Sequence, residues 1–549
     1  MASLRPVSSF DTHEVFNQPP PLEDVNLFTS DLGLSDAVRR AGAQGHGPRL
    51  AAMGARAGSQ EVLGWGVEAN RVLPVLETHD RFGHRIDEVT FHPAYHQLMD
   101  LGLGSGIASL AWQAEGQGVG AQGVGAGHVA HTALMLLLSQ ADSGTSCPMT
   151  MTYAAVPALR AEPAVAEEWV PRITAGAYDP ACRPASDKAG VTIGMAMTEK
   201  QGGSDVRANS TRAAPAGEEG WYRIDGHKWF CSAPMCDAFL TLAYADGGLT
   251  CFLVPRWLPD GTRNAGFRVM RLKDKLGDRS NASSEIEYHG AMAQRLGPEG
   301  RGVATIIQMV QHTRLDCVTG SAAQMRFALA NALWHTAHRS AFQKRLIDQP
   351  AMAAVLADLA LESEAATATA LRLAQAFDEN DPLARLLTPI AKYWVCKRAP
   401  GMVYEAMEAH GGIGYVESGP MPRLFRQSPL NAIWEGSGNV IALDVLRAVA
   451  REPESVEALQ AFLMGQRGRN GAYDRFVAGI DLVKAREGTA RLLVEQAALA
   501  AQAAILLAWD NPLADAFCQL RLAPRGMAYG AFDASLDCGA IIARAMPQV

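Results

Sequence analysis

Apolar and polar positions divide the chain into four textures. Up to about residue 188 the text is rich in Ala and Leu, and runs such as HVAHTALMLLLSQA (His128–Ala141) predict helices. One stretch breaks this texture: in THDRFGHRIDEVTF, Gly83 between polar flanks predicts a short hairpin or turn. From about Ala189 the segments VTIGMAMTE, GWYRIDGHKWFCS, AFLTLAYADGGLTCFLVP and SSEIEYHG are short, β-rich and separated by Gly, Asp and Asn, which predicts an antiparallel sheet or barrel. From about Gly302 to Arg451 apolar residues return at i, i+3, i+4 and i+7. REPES (Arg451–Ser455) carries a proline and marks a junction to a fourth, helical zone. Within that zone AALAAQAAILLAW (Ala497–Trp509) is shorter than a bilayer span and reads as a buried helix. The expected domains are 1–188 helical, 189–295 β, 296–452 helical bundle and 453–549 an additional helical unit. That order predicts an α+β fold with segregated domains rather than an alternating Rossmann layout.

Composition narrows the class. The chain has 549 residues, 48% of them hydrophobic, enough for several cores. Its net charge of −8 gives no general reason to expect nucleic acid or an anionic membrane as partner. The nine cysteines show no CxxC spacing; Cys231 and Cys236 are the nearest pair, and reduced thiols in a cytosolic protein are the simplest reading. The start, MASLRPVSSFDTHEVF, has no apolar core of the secretory kind. A cytoplasmic location with no membrane partner is expected.

Several stretches carry candidate chemistry. In GMAMTEKQGGSDVRANSTRA (Gly194–Ala213) a strand meets a Gly-rich turn bearing Thr198, Ser204 and Asp205. That suits close approach to a cofactor's carbonyls or phosphates, and equally an ordinary β-turn. GHKWFCS (Gly226–Ser232) places Lys228, Trp229 and Phe230 on the next strand, as a wall for a flat ring or as cross-strand packing. The loop after Gly411–Gly412 bears Arg423 and Arg426, which would hold a phosphate or pair with Glu417. In NAIWEGSGNVIALDVLR (Asn431–Arg447), Glu435 lies between an indole and a glycine turn, as a surface charge or as a base in an apolar pocket. Asn439 would cap the following helix, whose free N–H groups suit phosphate. His92 and His96 have i, i+4 spacing but no third ligand, so two ordinary histidines are expected.

Taken together, TEKQGGSD, HGGIGY followed by PRLFR, and IWEGSGN resemble the signatures of the acyl-CoA dehydrogenase family, in the family's order. HEVFNQPPPLEDVNLFTSD, FHPAYH, DRSNASSEIE and the fourth helical zone resemble its alkylation-response AidB branch. The resemblance implies FAD, with Met195, Thr198 and Ser204 on one side and Phe230, Cys231 and Ser232 on the adjacent strand. Ile433, Trp434, Glu435, Gly436, Asn439 and Leu443 would close the site. Arg339, with Phe342, resembles an element that reaches the pyrophosphate in a neighbouring subunit of a homotetramer, although Gln343 stands where the family has glycine. Glu435 matches the family's catalytic base, which takes an α-proton from an acyl thioester. The alternative helix position for that base is Thr313 here, and Asp316 near it is expected to pair with Arg314. Lys200–Gln201 and the EGSGN loop depart from the β-oxidation pattern and follow the AidB branch, and the resemblance to that branch implies weak, isovaleryl-CoA-like activity.

The branch also implies binding to double-stranded DNA in the adaptive response to alkylation. Charge alone does not: from Pro453 onward nine basic residues face ten acidic ones. Arg467, Arg469 and Arg525, in glycine-containing stretches, are the candidate phosphate contacts. The competing expectation is a fully active short- or branched-chain acyl-CoA dehydrogenase with no DNA role.

Overall fold

A computed structural model describes residues 12–113, 125–482, 484, 486–523, 526–532 and 536–548. Helices between Leu32 and Ile173 build the first unit. They are interrupted by strands β1 (Val75–His79) and β2 (Arg85–Thr90), which pair antiparallel at the predicted hairpin. Asp80 Oδ1 accepts from the Phe82 and His84 N–H groups, and Gly83 takes φ +88°, so the turn is set by its own side chain and one left-handed residue.

The β unit contains β3 (Ile193–Ala196), β4 (Arg212–Pro215), β5 (Trp221–Ser232), β6 (Ala238–Ala245), β7 (Gly248–Pro255), β8 (Phe267–Leu272) and β9 (Ser283–Leu296). They run in the order β3-β6-β4-β5-β9-β7, with β8 on β9, and pairing of β6 with β7 closes the path into a barrel. Most pairings are antiparallel, as expected of this unit, with one departure: β3 and β4 both lie parallel to β6. The intervening Gly-rich segment makes this possible, because Glu199 ties it to the barrel wall. Its carboxylate accepts from the Ser210 and Thr211 N–H groups, both their hydroxyls and Lys228 Nζ at 2.9 Å. Both charged side chains are fully buried.

The helices Gly302–His338, Pro350–Asp378, Leu383–Ala409 and Gly438–Arg451 form the third unit. At the expected junction only Glu452 separates Gly438–Arg451 from the helix Pro453–Met464. The fourth zone is docked on this bundle rather than tethered to it. Arg521 is buried against Asp358 and Glu362, Arg544 pairs with Glu364 and Asp36, and Gln502 accepts from Trp394 Nε1. The apolar helix is longer than the sequence run suggests: 487–508 is long and apolar enough to cross a membrane, but most of it is buried inside the protein.

Candidate active site

A cavity of about 710 Å³ opens where the first helical unit, the barrel and the bundle meet, within the range of small-molecule sites. Its floor is the loop 433–437, which enters the helix Gly438–Arg451. That loop is strained and pinned. Glu435 takes φ +56° and Gly436 φ +103°, a left-handed pair that costs energy at a non-glycine residue. Lys392 Nζ, 1% exposed, donates to the carbonyls of Trp434 (2.8 Å) and Gly436 (2.5 Å). Arg314 Nε donates to the Glu435 carbonyl at 3.2 Å, and Arg314 Nη1 to Asp444 at 2.7 Å. Trp434 Nε1 donates to Asn431, whose amide in turn donates to Ser321. Three successive carbonyls are thus held from behind, leaving the Glu435 side chain toward the cavity.

Glu435 is half-buried, and part of its surface faces the cavity. Thr313 Oγ1 donates to its Oε2 at 2.7 Å. Burial pushes the Glu435 carboxyl above the ordinary range, and the Thr313 hydrogen bond with the Arg314 and Lys392 charges moderates that rise. The group is a general-base candidate by geometry first and by affinity for a proton second.

Met195, Thr198, Ser204, Phe230, Ser232, Ile433, Trp434 and Gly436 line the same cavity as Glu435. Three other residues expected there do not. Cys231 is fully buried in the barrel, because strand alternation sends it to the face opposite Phe230 and Ser232. Asn439 is exposed and lies inside the helix, whose N-cap is Ser437, so it does not cap. Leu443 is turned aside, since Val440, Asp444 and Arg447 form the cavity face of that helix. Arg339, expected to reach the cofactor of a neighbouring subunit rather than this cavity, lies away from it and donates to the Asn17 carbonyl beside the tight turn that exposes Phe342.

One expected pairing changes, and other candidate residues take partners of their own. Asp316 does not pair with Arg314; it bonds His131 and Thr150, while Arg314 takes Asp444. Arg426 pairs with Glu417, and Arg423 donates to the Gly66 and Ala141 carbonyls. His92 caps the helix Pro93–Ser105, and His96 meets Tyr178. Arg467 is exposed; Arg469 is exposed but paired with Asp510. Arg525 lies outside the described residues. Lys392 was not among the expected residues; a lysine inside the apolar run PIAKYWVC is the signal that marks it.

The donor set fits a flavin nucleotide. Thr198, Ser204 and Ser232 bring hydroxyls to the cavity, and Phe230 keeps half its surface open. Gly203 lies so close to Thr198 that a Cβ there would sit 2.3 Å from its Oγ1. Ser437 makes no side-chain cap, which leaves N–H groups of the first helical turn free for an anion.

Three families match the chain in succession. The adaptive response protein AidB N-terminal domain covers residues 17–180, the acyl-CoA dehydrogenase middle domain 194–291 and the acyl-CoA dehydrogenase C-terminal domain 300–450. The putative acyl-CoA dehydrogenase AidB of Escherichia coli (strain K12) is 44% identical, over 94% of this chain and 96% of that protein. Acyl-CoA dehydrogenase family member 11 of Caenorhabditis elegans is 31% identical, over 77% and 70%. The solved structure of Caenorhabditis elegans ACDH-11 in complex with C11-CoA superposes with a TM-score of 0.82, at 27% identity over 95% of this chain and 96% of that one.

Proposed function

The chain belongs to the acyl-CoA dehydrogenase family, in its AidB branch, and from that membership we propose that it is an FAD-containing dehydrogenase of acyl-CoA thioesters whose base is Glu435. The observation that carries this reading is the Glu435 carboxyl, set by a left-handed residue and the Thr313 hydroxyl at the wall of a ligand-sized cavity.

Family members use FAD. Thr198, Ser204, Ser232 and the first turn of Gly438–Arg451 would hold it here, with Phe230 and Trp434 against its ring. When bound it supplies the acceptor for the hydride that leaves the β-carbon. The protein's own part is proton chemistry and positioning. Glu435 takes the α-proton at a carboxylate oxygen, and the raised proton affinity that burial gives it favours that transfer. Thr313 holds Oε2 so that the other oxygen is free to act, while Lys392 and Arg314 keep the loop from relaxing out of its strained conformation. Ile433, Val303 and Ile306 add apolar surface to the cavity lining, which would limit water near the carboxylate.

We further propose that turnover is weak and isovaleryl-CoA-like, that the assembly is a cytoplasmic homotetramer, and that the protein binds double-stranded DNA in the response to alkylation. The DNA reading rests on the branch resemblance and on exposed arginines at 467, 475 and 486. One observation weighs against the DNA part and so toward the alternative of a fully active short- or branched-chain enzyme without a DNA role: Arg469, Arg521 and Arg544 are all engaged by carboxylates of the protein itself.

Anaerobic mixing of the yellow protein with a panel of acyl-CoA thioesters tests the enzyme reading. Flavin bleaching with isovaleryl-CoA is expected, lost in Glu435→Gln. No bleaching with any thioester sinks the reading.

A further inference from the structure

Thr313, Asp316, Gly320 and Gln324 follow one another along the cavity face of Gly302–His338 at three- and four-residue spacing. Thr313 serves Glu435; Asp316, one turn on, serves nothing in the proton transfer. It is 6% exposed and has its own supports. Its Oδ1 meets His131 Nε2 at 2.8 Å, and its Oδ2 accepts from Thr150 Oγ1 at 2.6 Å. His131 Nδ1 lies 2.6 Å from the Ile107 carbonyl, which only accepts, so Nδ1 carries a hydrogen. Nε2 and Oδ1 then share one proton, and the pair is neutral overall whichever atom holds it. A carboxylate has about four acceptor positions, and these partners use two. Further along the same face, Gln324 is fully buried and its Oε1 has no partner among the described residues, while its amide nitrogen reaches Ser143 at 3.3 Å. Ser139, Ser143 and Ser146 complete a polar stretch of wall.

We propose that this wall is an acyl-chain subsite that selects a hydroxyl-bearing chain, with Asp316 accepting the hydroxyl's hydrogen bond. The inference rests on the dehydrogenase reading. The thioester carbonyl and sulfur only accept, so within the reacting end of the substrate a donor to Asp316 would belong to the acyl chain. An ammonium does not suit the site, because the neutral His131–Asp316 pair leaves no charge to compensate a desolvated cation. Three residues of helix rise about 4.5 Å. An oxygen on the fifth carbon of an extended chain lies at a similar distance from the α-carbon, about 5 Å with C–C bonds of about 1.5 Å. An all-carbon chain of equal size would strip water from this wall and return no hydrogen bond.

The test compares 5-hydroxyvaleryl-CoA with hexanoyl-CoA, which carries a methyl group in place of the hydroxyl. Binding to the FAD-loaded protein is measured by calorimetry and reduction by anaerobic flavin bleaching. The hydroxylated thioester is expected to bind about ten-fold more tightly. The double variant Asp316→Leu/His131→Phe, which removes both charges together, is expected to reverse that order. Should the variant not fold, the wild-type comparison decides alone. Equal or tighter binding of hexanoyl-CoA to the wild type overturns the subsite while leaving the dehydrogenase reading intact. If neither thioester binds or bleaches the flavin, the subsite fails; the dehydrogenase reading fails with it only if isovaleryl-CoA and the rest of the thioester panel also leave the flavin oxidised.

Discussion

Glu435 occupies a position that stability alone would not choose, since it combines a left-handed backbone with a carboxyl raised by burial. The sign of the consequence is fixed. Below the ordinary carboxyl value of 4.5 the group is protonated in both folded and unfolded chains, so no penalty arises. As pH rises through the higher folded value, ionising it costs stability. Glu435→Gln is therefore expected to melt at a higher temperature than wild type at pH 8, with the gap closing by pH 4, while flavin bleaching by isovaleryl-CoA slows by about 10²- to 10⁴-fold. A variant that melts lower at every pH would show that the carboxylate is structural. Thr313→Val removes the hydrogen bond that favours the ionised form, so the pH at which bleaching reaches half its maximum should move upward. Thr313→Ser should restore it; an unshifted profile in Thr313→Val would mean that the hydroxyl plays no part in setting the base.

Among the structural elements, the Gly-rich loop and the base loop illustrate what a sequence displays and what it hides. TEKQGGSD and IWEGSGN are legible because turn, hydroxyls and carboxylate sit within a few residues of each other, as do the strand alternations that send Phe230 and Ser232 to one face. The same alternation argues against Cys231 as a cavity residue, and that part was readable too. The clamps were not: Lys392 meets carbonyls more than forty positions away, and Arg314 meets Asp444 130 positions on. Such pairings depend on how helices pack, which periodicity does not specify. The Glu199–Lys228 pair tests the barrel's clamp. Burial opposes ionisation of Glu199, but hydrogen bonds from Ser210 and Thr211 and the Lys228 ammonium outweigh it and hold the carboxyl far below the usual range. Its contribution is thus present above pH 4.5 and lost as pH falls. Glu199→Ala leaves a buried ammonium unpaired and should cost about 3–5 kcal/mol in chemical denaturation at pH 7. Glu199→Leu/Lys228→Met should recover most of that, because neither charge remains. If the double variant is as unstable as the single one, the pair is not what holds the loop.

For the whole molecule, the question is whether a protein of net charge −8 can present phosphate contacts at all. Its fourth unit spends much of its positive charge on its own body: Arg521 on Asp358 and Glu362, Arg544 on Glu364 and Asp36, Arg469 on Asp510. A buried arginine such as Arg521 is unavailable to a duplex, so the sequence's tally of basic residues overstates the surface that DNA would meet. Arg467, Arg475 and Arg486 remain exposed. Phosphate contacts made by such side chains displace counterions, and the logarithm of affinity then falls with the logarithm of salt by about 0.9 for each contact. Substituting Arg467 by Gln should weaken binding to any duplex and reduce that slope by about 1. Arg469→Gln should reduce it less, because Asp510 already holds the guanidinium. Electrophoretic or fluorescence titrations across a range of salt concentrations read both. Binding that vanishes near physiological salt, or a slope indifferent to Arg467, would remove these arginines as the contact and favour the enzyme without a DNA partner.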